Sequence, residues 1–158
     1  RDYAVTGVQT CALPIYTAGD KRVIVEYMGW KILLLICYDI RFPVWIKNRY
    51  SPESGFDYDC ILCVANWPEL RSHPWRILLM ARAIENQSYV IGVNRVGIDG
   101  NDMHYCGDSA LISPLGENFS NIMPNQEVME TIPMTRCHLD DCRQKFKVAQ
   151  DWDQFALL

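Results

Sequence analysis

Residues 30–37 (WKILLLIC) form an apolar run far shorter than the ~20 residues that a membrane span requires, and its length and composition suit a buried β-strand. Two similar runs follow, 58–65 (YDCILCVA) and 88–96 (SYVIGVNRV). The stretches between them are long enough to hold helices. Continuous rather than alternating apolar character predicts strands covered on both faces, and strand–helix–strand alternation predicts an α/β protein with a partly parallel sheet.

The intervening residues agree with that pattern. Residues 22–27 (RVIVEY) alternate and meet Met28 and Gly29, a hairpin turn. A short helix is expected over 44–49, a loop over 51–55, and a stop at Asn66, Trp67 and Pro68 after the second strand. Ser72 or His73 is placed to cap a helix with Pro74 in its first turn. Residues 75–87 then carry Ile77, Met80, Ala81 and Ile84 on one stripe, read as the face packed on the sheet. A turn at 97–100, strands over 108–113 and 128–134, and a polar helix over 140–148 complete the pattern. The tail after Gln150 is unassigned.

Composition narrows the function classes. The chain has 158 residues, and Lys+Arg 15 against Asp+Glu 19 gives a net charge of −4. No basic run tracks a phosphate backbone, which argues against a nucleic-acid partner, and no segment suggests a membrane partner. An odd count of Cys 7 without a disulfide framework reads as free thiols in a reducing cytoplasm. The Asn-x-Ser patterns at Asn86 and Asn118 are read as chance matches.

Chemistry in such a fold gathers where strands end, here at Cys37–Tyr38 and Asn66–Trp67. A sharp turn after the first buried strand exposes the Cys37 sulfur and aims the Tyr38 backbone N–H at the same spot. That is what a thiolate nucleophile and its oxyanion hole require; the plain alternative is an inert buried thiol. Cys60 and Cys63 form a C-x2-C inside an apolar strand, where side chains three apart point to opposite faces, and no second ligand pair follows. Cys137, His138 and Cys142 make a weak cluster. No metal site is expected. His73 reads as a cap and His104 as a loop residue, Arg82 and Glu85 as an ion pair. Gly97, Gly100 and Gly107 are not spaced to cradle a phosphate.

Several segments in fixed order go further. Residues 29–43 (GWKILLLICYDIRFP) resemble the nucleophile segment of the nitrilase superfamily of carbon–nitrogen hydrolases. Residues 64–68 (VANWP), 81–87 (ARAIENQ) and 92–97 (GVNRVG) are similar to its next three blocks, and 105–109 (YCGDS) with 113–117 (SPLGE) to its late strand pair. The resemblance covers essentially residues 17–158. Val44, where many members carry Glu, and the Asn-Trp-Pro block resemble the bacterial omega-amidase branch.

This resemblance implies an α-β-β-α sandwich, a homodimer in the intact protein, and hydrolysis of a small dicarboxylic monoamide such as alpha-ketoglutaramate without a cofactor. By the same resemblance Cys37 is the nucleophile of a Glu-Lys-Cys triad, with an oxyanion donor at the Tyr38 N–H. Asn66, Trp67 and Arg71 then line the acyl pocket, and Arg71 meets a substrate carboxylate. The triad Glu and Lys belong to an N-terminal half of the family domain not found here. Lys21, Glu26 and Lys31 do not occupy those motif positions. The expectation is therefore residues 16–158 of a single hydrolase domain, inactive alone, aggregation-prone, with part of its surface apolar. Residues 5–15 resemble a translated sequencing adapter, so residues 1–15 are read as foreign and Cys11 carries no meaning. A different amidase specificity, a thiol or zinc-binding module, and a non-catalytic dimerising partner are the rival readings.

Overall fold

The computed structural model describes residue 19 and residues 21–155. The adapter-like residues 1–15 lie outside the described residues. β1 (Val23–Tyr27) and β2 (Trp30–Ile36) form the expected hairpin. Its turn residues Met28 and Gly29 have φ of 48° and 77°, the left-handed pair that a two-residue hairpin turn of the right twist requires. A 3-10 turn (Cys37–Arg41) leads into the one-turn helix α1 (Pro43–Ile46) and a small hairpin of β3 (Tyr50–Ser51) and β4 (Gly55–Phe56). β5 (Cys60–Ala65), a 3-10 turn (Glu69–Arg71), α2 (Ser72–Asn86) and β6 (Tyr89–Asn94) follow. β7 (Val96–Ile98) pairs with β8 (His104–Cys106), β9 (Ala110–Ile112) completes the main sheet, and α3 (Arg136–Lys145) precedes a final 3-10 turn.

The main sheet has the order β1-β2-β5-β6-β9, with β2, β5 and β6 parallel and antiparallel strands at both edges. The α/β expectation with partly parallel order therefore holds. One face carries Leu33, Leu35, Ile61, Cys63, Val90 and Ile112, buried under α2 through Trp75, Leu79 and Ala83. Gly92 permits this close approach, since a Cβ there would lie 2.6 Å from Leu79 Cδ1 and 2.9 Å from the Trp75 ring.

The other face is covered only toward one end, where Cys60, Tyr89 and Leu111 pack with Leu139 of α3 and with Phe119, Ile132 and Met134. α3 is clamped there by Asp59, whose Oδ1 accepts from Arg136 Nη1 and Arg143 Nη1, both at 2.9 Å. Burial pushes this carboxyl up, but the Lys31 N–H and the two guanidiniums outweigh it and hold it below the usual carboxylate range.

Several expectations need correction. β2 is not covered on both faces: Leu34 and Ile36 are exposed, and with Val23, Val64 and Val93 they make an apolar patch, each 40–48 % exposed. The ladder puts them side by side, Val23 opposite Leu34, Ile36 beside Val64, and Val64 beside Val93. The expected apolar surface is thus present. α2 buries Trp75, Leu79, Arg82, Ala83 and Asn86, leaving Ile77 and Ile84 exposed, so the stripe read from the sequence is the wrong face. Trp75, Leu79 and Ala83 recur every four residues, as regular a stripe as the one chosen, and the buried Arg82 disguises it. Neither Ser72 nor His73 caps α2, because the 3-10 turn runs straight into it, with the Ser72 N–H donating to Glu69 O.

The first short helix ends at Ile46 rather than reaching residue 49. The third strand breaks at Arg95, and residues 97–98 belong to β7 instead of a turn. Residues 128–134 form no strand; they cross the second core cluster with only Ile132 and Met134 turned inward. The last helix starts at Arg136, earlier than expected, with Thr135 Oγ1 capping the His138 N–H at 3.3 Å. Asn86 is fully buried and hydrogen-bonded, which closes its glycosylation pattern to modification.

An uncovered apolar patch on the central strands favours self-association. Val64→Lys, which places a charge in the middle of that patch, should lower concentration-dependent light scattering of the purified chain without lowering its thermal midpoint by more than about 3 °C.

Candidate active site

Because β2, β5 and β6 run parallel, their loops leave from one edge of the sheet and meet there. Cys37 is the first residue after β2 and has φ of 47°, a left-handed conformation that costs a side-chain-bearing residue about 1 kcal/mol or more. The turn is held in that shape from three sides. Asp39 Oδ2 accepts the Ile36 N–H at 2.9 Å, the Phe42 N–H donates to Asp39 O at 3.0 Å, and Arg82 Nε on α2 donates to Ile40 O at 2.8 Å. Arg82 also makes the expected ion pair with Glu85, at 2.9 Å.

The sharp turn expected at Cys37 is present, but it does not expose the sulfur. Cys37 is 5 % exposed, and its thiol points at the peptide of Asn66, donating to Asn66 O at 3.9 Å. Burial pushes the thiol up. The backbone contact from Asn66 pulls it down, the Asp39 carboxyl raises it, and the guanidiniums of Arg71 and Arg41 lower it, with burial prevailing. Asp39 is itself buried, with Oδ1 unpartnered, and burial raises its carboxyl to about 6 against the Ile36 N–H. Cys63 and Tyr105 also face this thiol electrostatically.

The structure gathers the site residues read from the sequence. Asn66 follows β5 and is exposed, its carbonyl on the Cys37 thiol. Trp67 is buried, tilted against Trp75 at 5.3 Å with the Arg41 guanidinium 4.6 Å above its ring, and its Nε1 donates to Arg71 O at 2.7 Å. Arg71 ends the following 3-10 turn with its side chain exposed. Tyr38 is half-buried, its ring edge-on to Phe42 at 5.2 Å. Lys31 lies at the opposite end of β2, donating through Nζ to Phe56 O at 3.3 Å, and is thus not a member of this edge.

Three residues of this strand edge have no role in the sequence reading: Asp39 and Arg41, whose charges act on the thiol, and Asn94. Only the residue pattern 37–43 signalled the first two. Asn94 ends β6, and nothing local marks it; its importance appears when strand register sets it beside Trp67.

The remaining thiols behave differently. Cys60 and Cys63 point to opposite faces as expected, and burial pushes each to about 12. Cys142 lies 3.7 Å from His138 Nε2 and Cys137 is exposed, and among the described residues no group of three or more His, Cys, Asp or Glu could hold a metal ion. His73 is exposed in the first turn of α2, and His104 is exposed on β8 rather than in a loop. A cavity of about 430 Å³ beyond Asn94 and Ser109 has Gln126 and Glu127 in its wall, and the Cys37 thiol does not line it. No described helix is long and apolar enough to cross a membrane.

Comparison with known proteins agrees with this fold. Residues 6–144 match the carbon-nitrogen hydrolase family. The chain is 51 % identical over 142 residues to the omega-amidase YafV of Escherichia coli K12, covering 90 % of this chain and 53 % of that protein. It is 33 % identical to the 2-oxoglutaramate amidase of Bacillus subtilis strain 168, covering 81 % of this chain and 51 % of the relative. Among solved structures, a CN-hydrolase superfamily protein from Xanthomonas campestris with an arsenic adduct in its active site superposes with a TM-score of 0.86. It is 46 % identical, covering 90 % of this chain and 54 % of the other. The chain spans about half the length of the curated relatives it matches.

Above about pH 6 the Asp39 carboxylate opposes ionisation of the Cys37 thiol. Asp39→Asn removes that charge, so the pH of half-maximal Cys37 alkylation by iodoacetamide, followed by peptide mass spectrometry, should fall by about half a unit.

Proposed function

The chain belongs to the carbon–nitrogen hydrolase family, and from that premise we propose that Cys37 is the nucleophile of an amide-hydrolysing site of the omega-amidase kind. The observation that carries this reading is the strand-end turn: a strained, side-chain-bearing Cys37 held by Asp39 and Arg82 beside the Asn66 peptide. Strain over-determined by its surroundings is typical of a site where a side chain must be presented in one direction. The frame around it is the mixed α/β fold of the nitrilase superfamily.

The reaction proposed is acyl transfer through a thioester. The Cys37 thiolate attacks the amide carbon and the carbonyl electrons move onto oxygen. The tetrahedral intermediate collapses with cleavage of the carbon–nitrogen bond, and nitrogen leaves with a proton as ammonia. Water then attacks the thioester carbon, releasing the carboxylic acid and restoring the thiol. The Tyr38 backbone N–H is the proposed oxyanion donor, a role whose removal typically costs about 10²–10³ in rate. Asn66 and Trp67 are proposed as walls of the acyl pocket, Trp67 through its backbone and ring edge because the ring itself is buried.

The substrate class is a short dicarboxylic acid monoamide such as alpha-ketoglutaramate. The names of the relatives from E. coli and B. subtilis support it, and so does Arg71, an exposed cation near enough to the thiol to act on it, which suits the distal carboxylate. None of the groups with the largest influence on the thiol is a Glu or a Lys, the other two members of the triad implied by the family resemblance. A thiol raised by burial is protonated at neutral pH, so this chain is expected to turn over poorly if at all.

Single-turnover acylation tests the proposal. Incubation with alpha-ketoglutaramate, an acid quench and peptide mass analysis should show a hydroxylamine-sensitive acyl adduct on Cys37, forming faster at pH 9 than at pH 7 and absent in Cys37→Ser. No adduct at any pH, or an adduct on another cysteine, would contradict it.

A further inference from the structure

We propose that Asn94 is a positioning residue of this site, the amide that locks the Asn66–Trp67 peptide segment against the Cys37 thiol; the inference rests on the reading of Cys37 as nucleophile. Asn94 is the last residue of β6, buried, and uses every polar atom of its side chain. Its Oδ1 accepts the Trp67 N–H at 2.7 Å, while Nδ2 donates to Trp67 O at 3.0 Å and to Gly107 O at 2.8 Å. The first two bonds copy the pattern by which one strand pairs with the next. They extend the β5–β6 ladder, whose last pair is Ala65 with Asn94, past the point where the backbone turns away.

The third bond ties in the segment leading to β9. Ser109 completes the knot, its Oγ accepting the Asn94 N–H at 3.0 Å and donating to Asn94 O at 3.2 Å. Asn94 is thus held by its own backbone and in turn holds both polar groups of Trp67. The residue immediately before, Asn66, carries the carbonyl that accepts the Cys37 S–H. With both ends of the Trp67 backbone fixed, the Asn66 carbonyl has little freedom to swing away from the thiol. Asp39, Arg41, Arg71, Cys63 and Tyr105 also act on Cys37, but none of them holds this peptide.

No smaller or isosteric residue reproduces the arrangement. Alanine leaves the Trp67 N–H and two carbonyls without partners in a buried place. Aspartate keeps the acceptor for the Trp67 N–H but turns a carboxylate oxygen toward the carbonyls of Trp67 and Gly107, replacing two attractions by two repulsions.

The test is the pH profile of Cys37 alkylation by iodoacetamide in the whole chain, resolved from the other cysteines by peptide mass spectrometry. Asn94→Ala and Asn94→Asp are compared with Thr135→Ala, which removes the cap of α3 on the opposite face and lowers stability without touching the strand edge. Both Asn94 variants should shift the pH of half-maximal alkylation by about one unit, and Thr135→Ala should leave it unchanged. Aspartate keeps the size of the side chain and serves should the alanine variant not fold. A profile unchanged in a folded Asn94 variant, or shifted as far in Thr135→Ala, would overturn the proposal. Failure of the hydrolase reading shows separately, as absence of the acyl adduct in the unaltered chain.

Discussion

The parallel register that pairs Ile36 with Val64 and Ala65 with Asn94 is the constraint on which the site depends. Parallel strands place their carboxyl ends at one edge of a sheet, and consecutive loops then have no choice but to meet. One residue beyond each strand, the chain presents Cys37 and Asn66 to one another, with Asn94 closing β6 beside Trp67. A slip of one residue in either ladder would turn the inward set of side chains to the other face and separate these groups together. The arrangement proposed for chemistry is thus a by-product of the core: Leu33, Leu35, Ile61, Cys63 and Val90 fix the register by packing under α2.

Two buried polar side chains convert that rough placement into a defined turn. Arg82 reaches from α2 to the Ile40 carbonyl, and Asn94 reaches from β6 to Trp67. Each leaves its own element to satisfy backbone groups that the turns had orphaned, which is where buried polar residues do most for specificity. The left-handed Cys37 survives because these contacts surround it. Asp39 works in two directions, stabilising the turn through the Ile36 N–H while its charge opposes the thiolate. The uncovered apolar patch over Leu34, Ile36, Val64 and Val93 lies on the face of the same strands turned away from α2.

Much of this was legible in the residues. The apolar runs at 30–37, 58–65 and 88–96 announced the strands because five or six consecutive apolar residues leave few alternatives, and Met28-Gly29 announced the hairpin. The segment around Cys37 was legible through its resemblance to the family, and Asn66, Trp67 and Arg71, proposed as its partners, came with it. What failed was whatever depended on which face is covered. A continuous apolar run looks the same whether one or two faces pack, so the exposed side of β2 was invisible. Two stripes of α2 were equally apolar, and the correct one contained an arginine. Residues 128–134 had strand-like composition but found no backbone partner. Asn94 was hidden for the same reason as all of these: its role is set by residues 27 and 13 positions away, and no local pattern encodes them.

The central claim is that the strand edge makes Cys37 unlike the other thiols buried in the same sheet. Alkylation of the unaltered chain, followed cysteine by cysteine as a function of pH, tests it most directly. The account predicts that Cys37 reacts well before Cys60 and Cys63, with a midpoint above the ordinary cysteine value of about 8.5 yet below theirs. Equal reactivity of the three, or a Cys37 midpoint near neutrality, would contradict it.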